Sequence, residues 1–438
     1  MSSSGDNRLK VRVRLPNITL PCPEDGIYVP SDKVMSVVGS YALDWTRTEF
    51  EWGWVAQCPD GGFRVFAKAD GEHEGCIDVS DGHSGVSYIF QVTVNPDPRS
   101  LWVEKDPPPT APYPKPHVET LAYEAFGIKV FGASRRGRSH GQNGTFRDDD
   151  MGIWSDKENT MCLLAVADGA GSAKYSRQGS KKAIAAVVDC VSKTIKPENW
   201  DGELTSTGAV ARLLLRASYD AYNFLVTYAK DAAERTPSEN ITVKDFNTTL
   251  LLALLKRTDD GGLKMVTFSI GDGAIAWYSE KGVDLMCAPD GGEYSGQTRF
   301  LTTGSVWHQA SKDYSAFMKE RVFVREVDAR EAQDGHLLLM TDGVSDPFFE
   351  TDTTLTDVDL WRNLVENELC GKAHLHPYES AQTNADRLLD WLLFWSKGNH
   401  DDRTLVVVKP LALDDVKNSG SEALVANDAA IMNSNAEA

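Results

Sequence analysis

The sequence predicts an α+β fold with helices outside β-sheets, preceded by a smaller all-β domain. Residues 8 to 97 alternate apolar and polar side chains in short stretches (Lys10 to Leu15, Gly62 to Ala67, Ser87 to Val94). Turn signals at Pro23-Glu24-Asp25-Gly26, Pro59-Asp60-Gly61-Gly62 and Asp81-Gly82 divide them, and no helical period of useful length occurs there. That pattern suits a small sandwich or barrel. Asp106 to Pro116 is rich in proline, which favours extended polyproline geometry and cannot continue a sheet ladder, so a semi-rigid linker is expected. Beyond it, helical segments come in pairs and strands in runs, without strict βαβ alternation.

Taken in order, Met161 to Ala167 is apolar throughout and reads as a buried strand. Ser176 to Thr194 and Gly208 to Ala233 repeat apolar residues at helical spacing. Thr248 to Leu255, Leu263 to Ile270 and Ala274 to Tyr278 are expected strands. His336 to Met340 is another, Ala381 to Trp395 a helix, and Thr404 to Val408 a last strand. The expected division is a β-sandwich domain over 1–105, a linker over 106–116, the mixed domain over 117–412 and a disordered acidic tail over 413–438. Trp45, Phe50, Trp52 and Trp54 read as packing of the sandwich core, with a protein-binding surface on that domain as the alternative.

Composition narrows the function classes. The chain has 438 residues, of which 41% are hydrophobic and 25% charged, the balance of an ordinary globular protein. A formal charge of -19 argues against general binding to nucleic acid or anionic membrane, which needs basic surface. No apolar run reaches 18 residues, and the start MSSSGDNRLKVRVRL lacks the apolar core of a secretory signal, so a cytoplasmic location is expected. The seven cysteines are scattered without CxxC spacing, which favours buried thiols over disulfides or zinc.

Four acidic segments lie far apart: Asp148-Asp149, Asp168-Gly169, Asp342-Gly343 and Asp401-Asp402. Three adjoin apolar runs that read as strands, so their carboxylates can meet at strand ends. Clustered carboxylates repel unless positive charge lies between them, and hard divalent cations with oxygen ligands fit best. The glycine after Asp168 lets the backbone approach closely, so the carbonyl of Gly169 can join the ligand set. With carboxylate, carbonyl and water donors, manganese or magnesium is favoured over zinc. Two such ions activate a shared water and clamp both oxygens of an in-line displacement at phosphorus, so no nucleophilic side chain is required.

Each strand-Asp-Gly motif alone is a common way to end a strand. Their order is more specific. The run Asp148-Asp149, Asp168-Gly169-Ala170-Gly171, Thr248-Thr249, Gly271-Asp272-Gly273, Thr341-Asp342-Gly343 and Asp401-Asp402-Arg403-Thr404 resembles the metal-dependent serine/threonine protein phosphatases of type 2C. The likeness covers about residues 125 to 410, and Ser139-His140 followed by Gly144 is similar to a bacterial subgroup. The resemblance implies a four-layer α-β-β-α sandwich and hydrolysis of phosphoserine or phosphothreonine in protein substrates, opposed by a serine/threonine kinase. It implies two Mn2+ or Mg2+ ions, with Asp245 a candidate for a third, loosely held one. Asp168 would bridge the two ions; the Gly169 carbonyl and Asp148 would serve one, Asp342 and Asp401 the other. Asp149 would hold the reacting water, with Asp149-Asp150 as the alternative frame, and Asp272 would be scaffold.

The family's phosphate-binding arginine, four residues before the first acid, falls on Gly144, and a histidine common in its eukaryotic members falls on Ala170. Arg135, Arg136 and Arg138 are the expected substitutes for the arginine, with His140 orienting their loop and Arg147 facing away. The alternative function is a catalytically weak scaffold or phosphoprotein-binding module that retains the fold.

Overall fold

The computed structural model describes residues 9–29, 47–58, 62–80, 85–200, 204–288, 298–411 and 425–426. The chain divides into two compact units, Met1–Val103 and Glu104–Ala438. In the first, β1 (Leu9–Arg14), β2 (Ile18–Thr19), β3 (Ile27–Val29), β4 (Arg47–Phe50), β5 (Gly53–Gln57), β6 (Phe63–Ala67), β7 (Gly71–Ser80) and β8 (Gly85–Asn95) make two four-stranded sheets. β8 pairs antiparallel with β7 but parallel with β1 and β2, a distinction that period-two alternation cannot reveal. Val55, Val65, Ile77, Phe90 and Val92 fill the core of this unit.

The aromatic cluster divides between the two faces of its sheet. Trp52 is buried and stacks on Phe50 at 5.3 Å, whereas Trp54, two residues on, stacks on Phe66 at 4.6 Å beneath the ammonium of Lys68. Trp45 and the expected turns at 59–61 and 81–82 lie outside the described residues.

The second unit begins with β9 (Val118–Ala125) and β10 (Ile128–Arg135), followed by α1 (Arg138–Asn143), β11 (Asp150–Ser155), β12 (Met161–Ala167), α2 (Ser176–Thr194) and α3 (Ala209–Arg235). Next come β13 (Leu250–Arg257), β14 (Leu263–Ile270), β15 (Ala274–Ser279), β16 (Gly282–Leu285), α4 (Gly304–Lys312), α5 (Tyr314–Arg321), β17 (Val322–Val327) and α6 (Ala329–Asp334). The chain continues through β18 (His336–Met340), α7 (Asp342–Phe348), α8 (Val358–Arg362), a π-helix over Asn363–Lys372, α9 (Ala381–Trp391), β19 (Arg403–Pro410) and β20 (Val425–Ala426). Two antiparallel sheets result, β11-β12-β13-β14-β17 and β16-β15-β18-β19-β10-β9-β20.

The apolar pattern dictates the layers. β12 and β13 are buried on both faces, so each must be covered twice: by the other sheet on one side and by α2 and α3 on the other. The second sheet is covered in turn by the π-helix and α9. The unit is therefore the four-layer α-β-β-α sandwich that the family resemblance implied.

The expected linker is corrected. Residues 106–116 are no spacer, because they belong to the second compact unit and Lys115 is buried in it. Of the expected acidic tail only 425–426 are described beyond residue 412, and they pair antiparallel with β9.

Candidate metal centre

Five segments bring carboxylates to one end of the sandwich. Asp168 follows β12, Asp342 follows β18, Asp272 sits in the turn between β14 and β15, Asp401 and Asp402 precede β19, and Asp148 to Asp150 lead into β11. The register explains the convergence: Asp150 faces Ala167 across one ladder, while Met340 faces both Ala274 and Leu405 in the other sheet. Oxygens of Asp168, Asp272 and Asp342 lie within 4.8 Å of one another. Asp272, expected to be scaffold, thus stands among the candidate ligands; Thr298 donates its hydroxyl to Asp272 Oδ2.

Hydroxyls and amides fix each acid. Thr249 N and Thr248 Oγ1 both donate to the carbonyl of Asp168 at 2.8 Å, and Asp168 N donates to Thr249 Oγ1 at 2.9 Å. This clamp is what the paired threonines provide. Asp149 Oδ2 accepts from Thr341 Oγ1 at 2.9 Å and from Thr404 Oγ1 at 2.7 Å. Asp402 accepts from the amides of Gly137, Asp148 and Asp149, pinning the acidic loop to the start of β19. Close approach demands glycine at Gly343, where an added Cβ would lie 1.8 Å from the Asp402 carbonyl oxygen.

The electrostatics are those of carboxylates buried and crowded together. Burial, with Asp342 and Asp149 beside it, raises Asp168 far above the usual carboxylate range. Burial, with Asp272 and Asp401, does the same to Asp342. Asp149 is pushed up to about 7 by burial and by Asp402, against the hydrogen bond from Thr404. Asp148 rises to about 6 through burial, although His140 opposes the shift. Asp148 Oδ1 and Asp149 Oδ1 are buried without a hydrogen-bond partner. Hard divalent cations among these oxygens would reverse the penalty, so the donor set fits manganese or magnesium.

His140 bridges two of the segments. Its Nδ1 lies 2.7 Å from the Phe146 carbonyl, which only accepts, so Nδ1 carries hydrogen; Nε2 lies 3.4 Å from Asp401 Oδ1. Burial alone would lower its pKa, yet Asp402, Asp401 and Asp148 raise it to about 10. The same contact holds Asp401 below the usual carboxylate range despite burial.

Several expected site residues stand elsewhere. Asp149 faces Asp168, whereas Asp148 faces His140 and Arg177. Asp150, the alternative acid, is paired with Lys115 at 3.0 Å. Asp245 caps its own turn through Thr242, spending its carboxylate there. The three arginines expected to bind phosphate are bound to protein groups. Arg135 donates to the Leu389 carbonyl, and Arg136 to those of Lys105 and Thr145 and to the Glu104 carboxylate. Arg138 donates to the carbonyls of Leu393 and Phe394. Arg147 is wholly buried and paired with Glu119. The guanidinium that does approach the acidic loop is Arg177, with Nη1 4.0 Å from Asp148 Oδ1. Its signal was only its place in the first turn of a helix shortly after Asp168.

The family profile for protein phosphatase 2C matches residues 136–377, more than half of the chain. The chain belongs to the protein phosphatase 2C family. Serine/threonine-protein phosphatase 3 of Escherichia coli (strain K12) is 26% identical over 149 residues, covering 34% of this chain; the chain spans about half, 51%, of that relative's length. Among solved structures, the catalytic domain of the serine/threonine protein phosphatase PstP in complex with two manganese ions is 17% identical. That match covers 67% of this chain and all of PstP's domain, with a TM-score of 0.39. A bacterial serine phosphatase is 15% identical, with 65% and 97% coverage and a TM-score of 0.37. The family match takes in Asp148, Asp168, Asp272 and Asp342, but ends before Asp401 and begins after the proline-rich segment.

Proposed function

We propose that the protein is a metal-dependent phosphatase that hydrolyses phosphoserine and phosphothreonine in proteins. The observation that carries this reading is the convergence of Asp168, Asp272 and Asp342 within 4.8 Å, in a chain of the protein phosphatase 2C family. Asp168, Asp342 and Asp272, with the backbone at Gly169 and with Asp401, would hold Mn2+ or Mg2+. The bound cations would supply water activation and charge neutralisation at phosphorus. Asp149, fixed by the two threonine hydroxyls, would hold the attacking water as a hydrogen-bond acceptor. His140 keeps Asp401 and the acidic loop in one arrangement and presents a protonated ring beside a site that receives a phosphoryl dianion.

Phosphoproteins are the proposed substrates, and a serine/threonine kinase the proposed source of the phosphate. A protein partner for the β-rich first unit belongs to the same proposal. A cytoplasmic setting belongs to the same proposal and accords with cysteines scattered without CxxC spacing. Among the described residues no helix is long and apolar enough to cross a membrane. The test is phosphate release from p-nitrophenyl phosphate by the full chain. Release should require manganese or magnesium and stop with chelator. Release unaffected by chelator contradicts the reading, and a protein that binds manganese without turnover favours the scaffold alternative.

A further inference from the structure

One buried cation at the acidic loop comes from outside the family-matched residues. The side chain of Lys115 is 7% exposed; its Nζ lies 3.0 Å from Asp150 Oδ2 and also donates to the carbonyl of Asp149. The segment that delivers it is fastened at two points. At one end Glu104 pairs with Arg136 at 2.7 Å and Lys105 N donates to the Gly141 carbonyl at 2.9 Å. Further along, Arg177 donates from Nε to the Tyr113 carbonyl at 3.0 Å and from Nη2 to that of Pro112 at 2.6 Å, with its guanidinium over the Phe146 ring. Prolines on both sides of Lys115 fix φ and leave the strap little slack.

We propose that Lys115 is a positioning residue for the metal centre, and that the proline-rich strap is part of that centre. The inference rests on the phosphatase reading only for what the centre does with its cations. Asp149 turns its carbonyl to Lys115 and its carboxylate to Thr341 and Thr404. One ammonium therefore fixes the backbone from which that carboxylate projects. Lys115 meets the backbone of Asp149 and the carboxylate of Asp150, and it acts through them. Without it, a buried carboxylate and a carbonyl lose their donor, and the 148–150 backbone is free to shift. Outer residues that orient metal-side groups commonly change metal affinity by about ten- to a hundredfold when removed.

The experiment is calorimetric titration of the full chain with Mn2+ in the absence of substrate, comparing the native protein with Lys115→Met. We expect Mn2+ affinity to fall by at least about tenfold, and kcat for p-nitrophenyl phosphate to recover in excess manganese while KM changes little. A folded variant with lower thermal stability but native Mn2+ affinity would make Lys115 a plain structural brace and overturn the proposal. Hydrogen exchange on the native protein decides the matter even if the variant does not fold. Coupling is reciprocal, so Mn2+ should slow amide exchange over the strap, and exchange there unchanged by Mn2+ overturns the proposal. Native protein that binds Mn2+ in this way but releases no phosphate would sink the phosphatase reading and leave the role of Lys115 standing.

Discussion

Thr404 donates its hydroxyl to Asp149 Oδ2 at 2.7 Å, joining the first residues of β19 to an acid 255 positions earlier. Thr341 donates to the same oxygen, and itself accepts from Thr404 N at 3.1 Å. The threonines of the third and fourth acidic motifs thus serve the carboxylate of the first. Thr404→Val keeps the shape and removes one donor. Its expected effect is a kcat about tenfold lower, with folding stability reduced by roughly 1 to 3 kcal/mol, because a buried acceptor loses a partner. Steady-state kinetics and urea unfolding check both.

Arg136, drawn into the 104–145 loops, predicts a stability effect instead of a substrate effect. Arg136→Ala leaves the carbonyls of Lys105 and Thr145 and the Glu104 carboxylate without that donor, and should lower the melting temperature with KM for a phosphopeptide changed less than about twofold. Arg135→Ala and Arg138→Ala should leave KM similarly unchanged, since both guanidinium groups are held by the carbonyls around α9. A several-fold rise in KM at any of the three would restore the sequence-based expectation.

The turn of these arginines onto protein carbonyls has a physical reason. Spacing along the chain places an arginine near an acid but cannot say which way a folded loop turns it, and carbonyls of residues 389 to 394 are brought near only by tertiary packing. The strands and helices with long apolar patterns were legible: Met161–Ala167, Ser176–Thr194, Leu263–Ile270 and His336–Met340 form where the pattern puts them. The convergence of Asp168 and Asp342 was legible because each follows a buried strand. Asp272 was not, because a glycine-flanked aspartate in a turn has the same local signature whether or not other acids come near. Lys115 was hidden by its prolines, which read as a solvated spacer.

His336 predicts a pH dependence away from the metal centre. Its Nδ1 is buried without a partner, and burial together with nearby Lys409 lowers its pKa to about 3, against roughly 6.5 in the unfolded chain. The unfolded state therefore binds the proton more readily. The stability that this neutral ring allows is complete above pH 6.5 and declines as pH falls from there toward 3, by at most about 1.4 kcal/mol per pH unit. His336→Phe should flatten that stretch of the stability profile. Urea unfolding at pH 5 and pH 7 checks it, and an equal pH slope in both proteins contradicts it.

The central claim is that carboxylates gathered from distant strand ends hold catalytic divalent cations, and Asp168, ringed by the others, is the place to probe it. The most direct measurement is phosphate release from a phosphothreonine peptide by the full chain and by Asp168→Asn, each titrated with Mn2+. Native protein should turn over only with metal present, and Asp168→Asn should lose at least roughly a hundredfold in kcat and bind Mn2+ more weakly. Native activity and native metal affinity in Asp168→Asn would contradict the account.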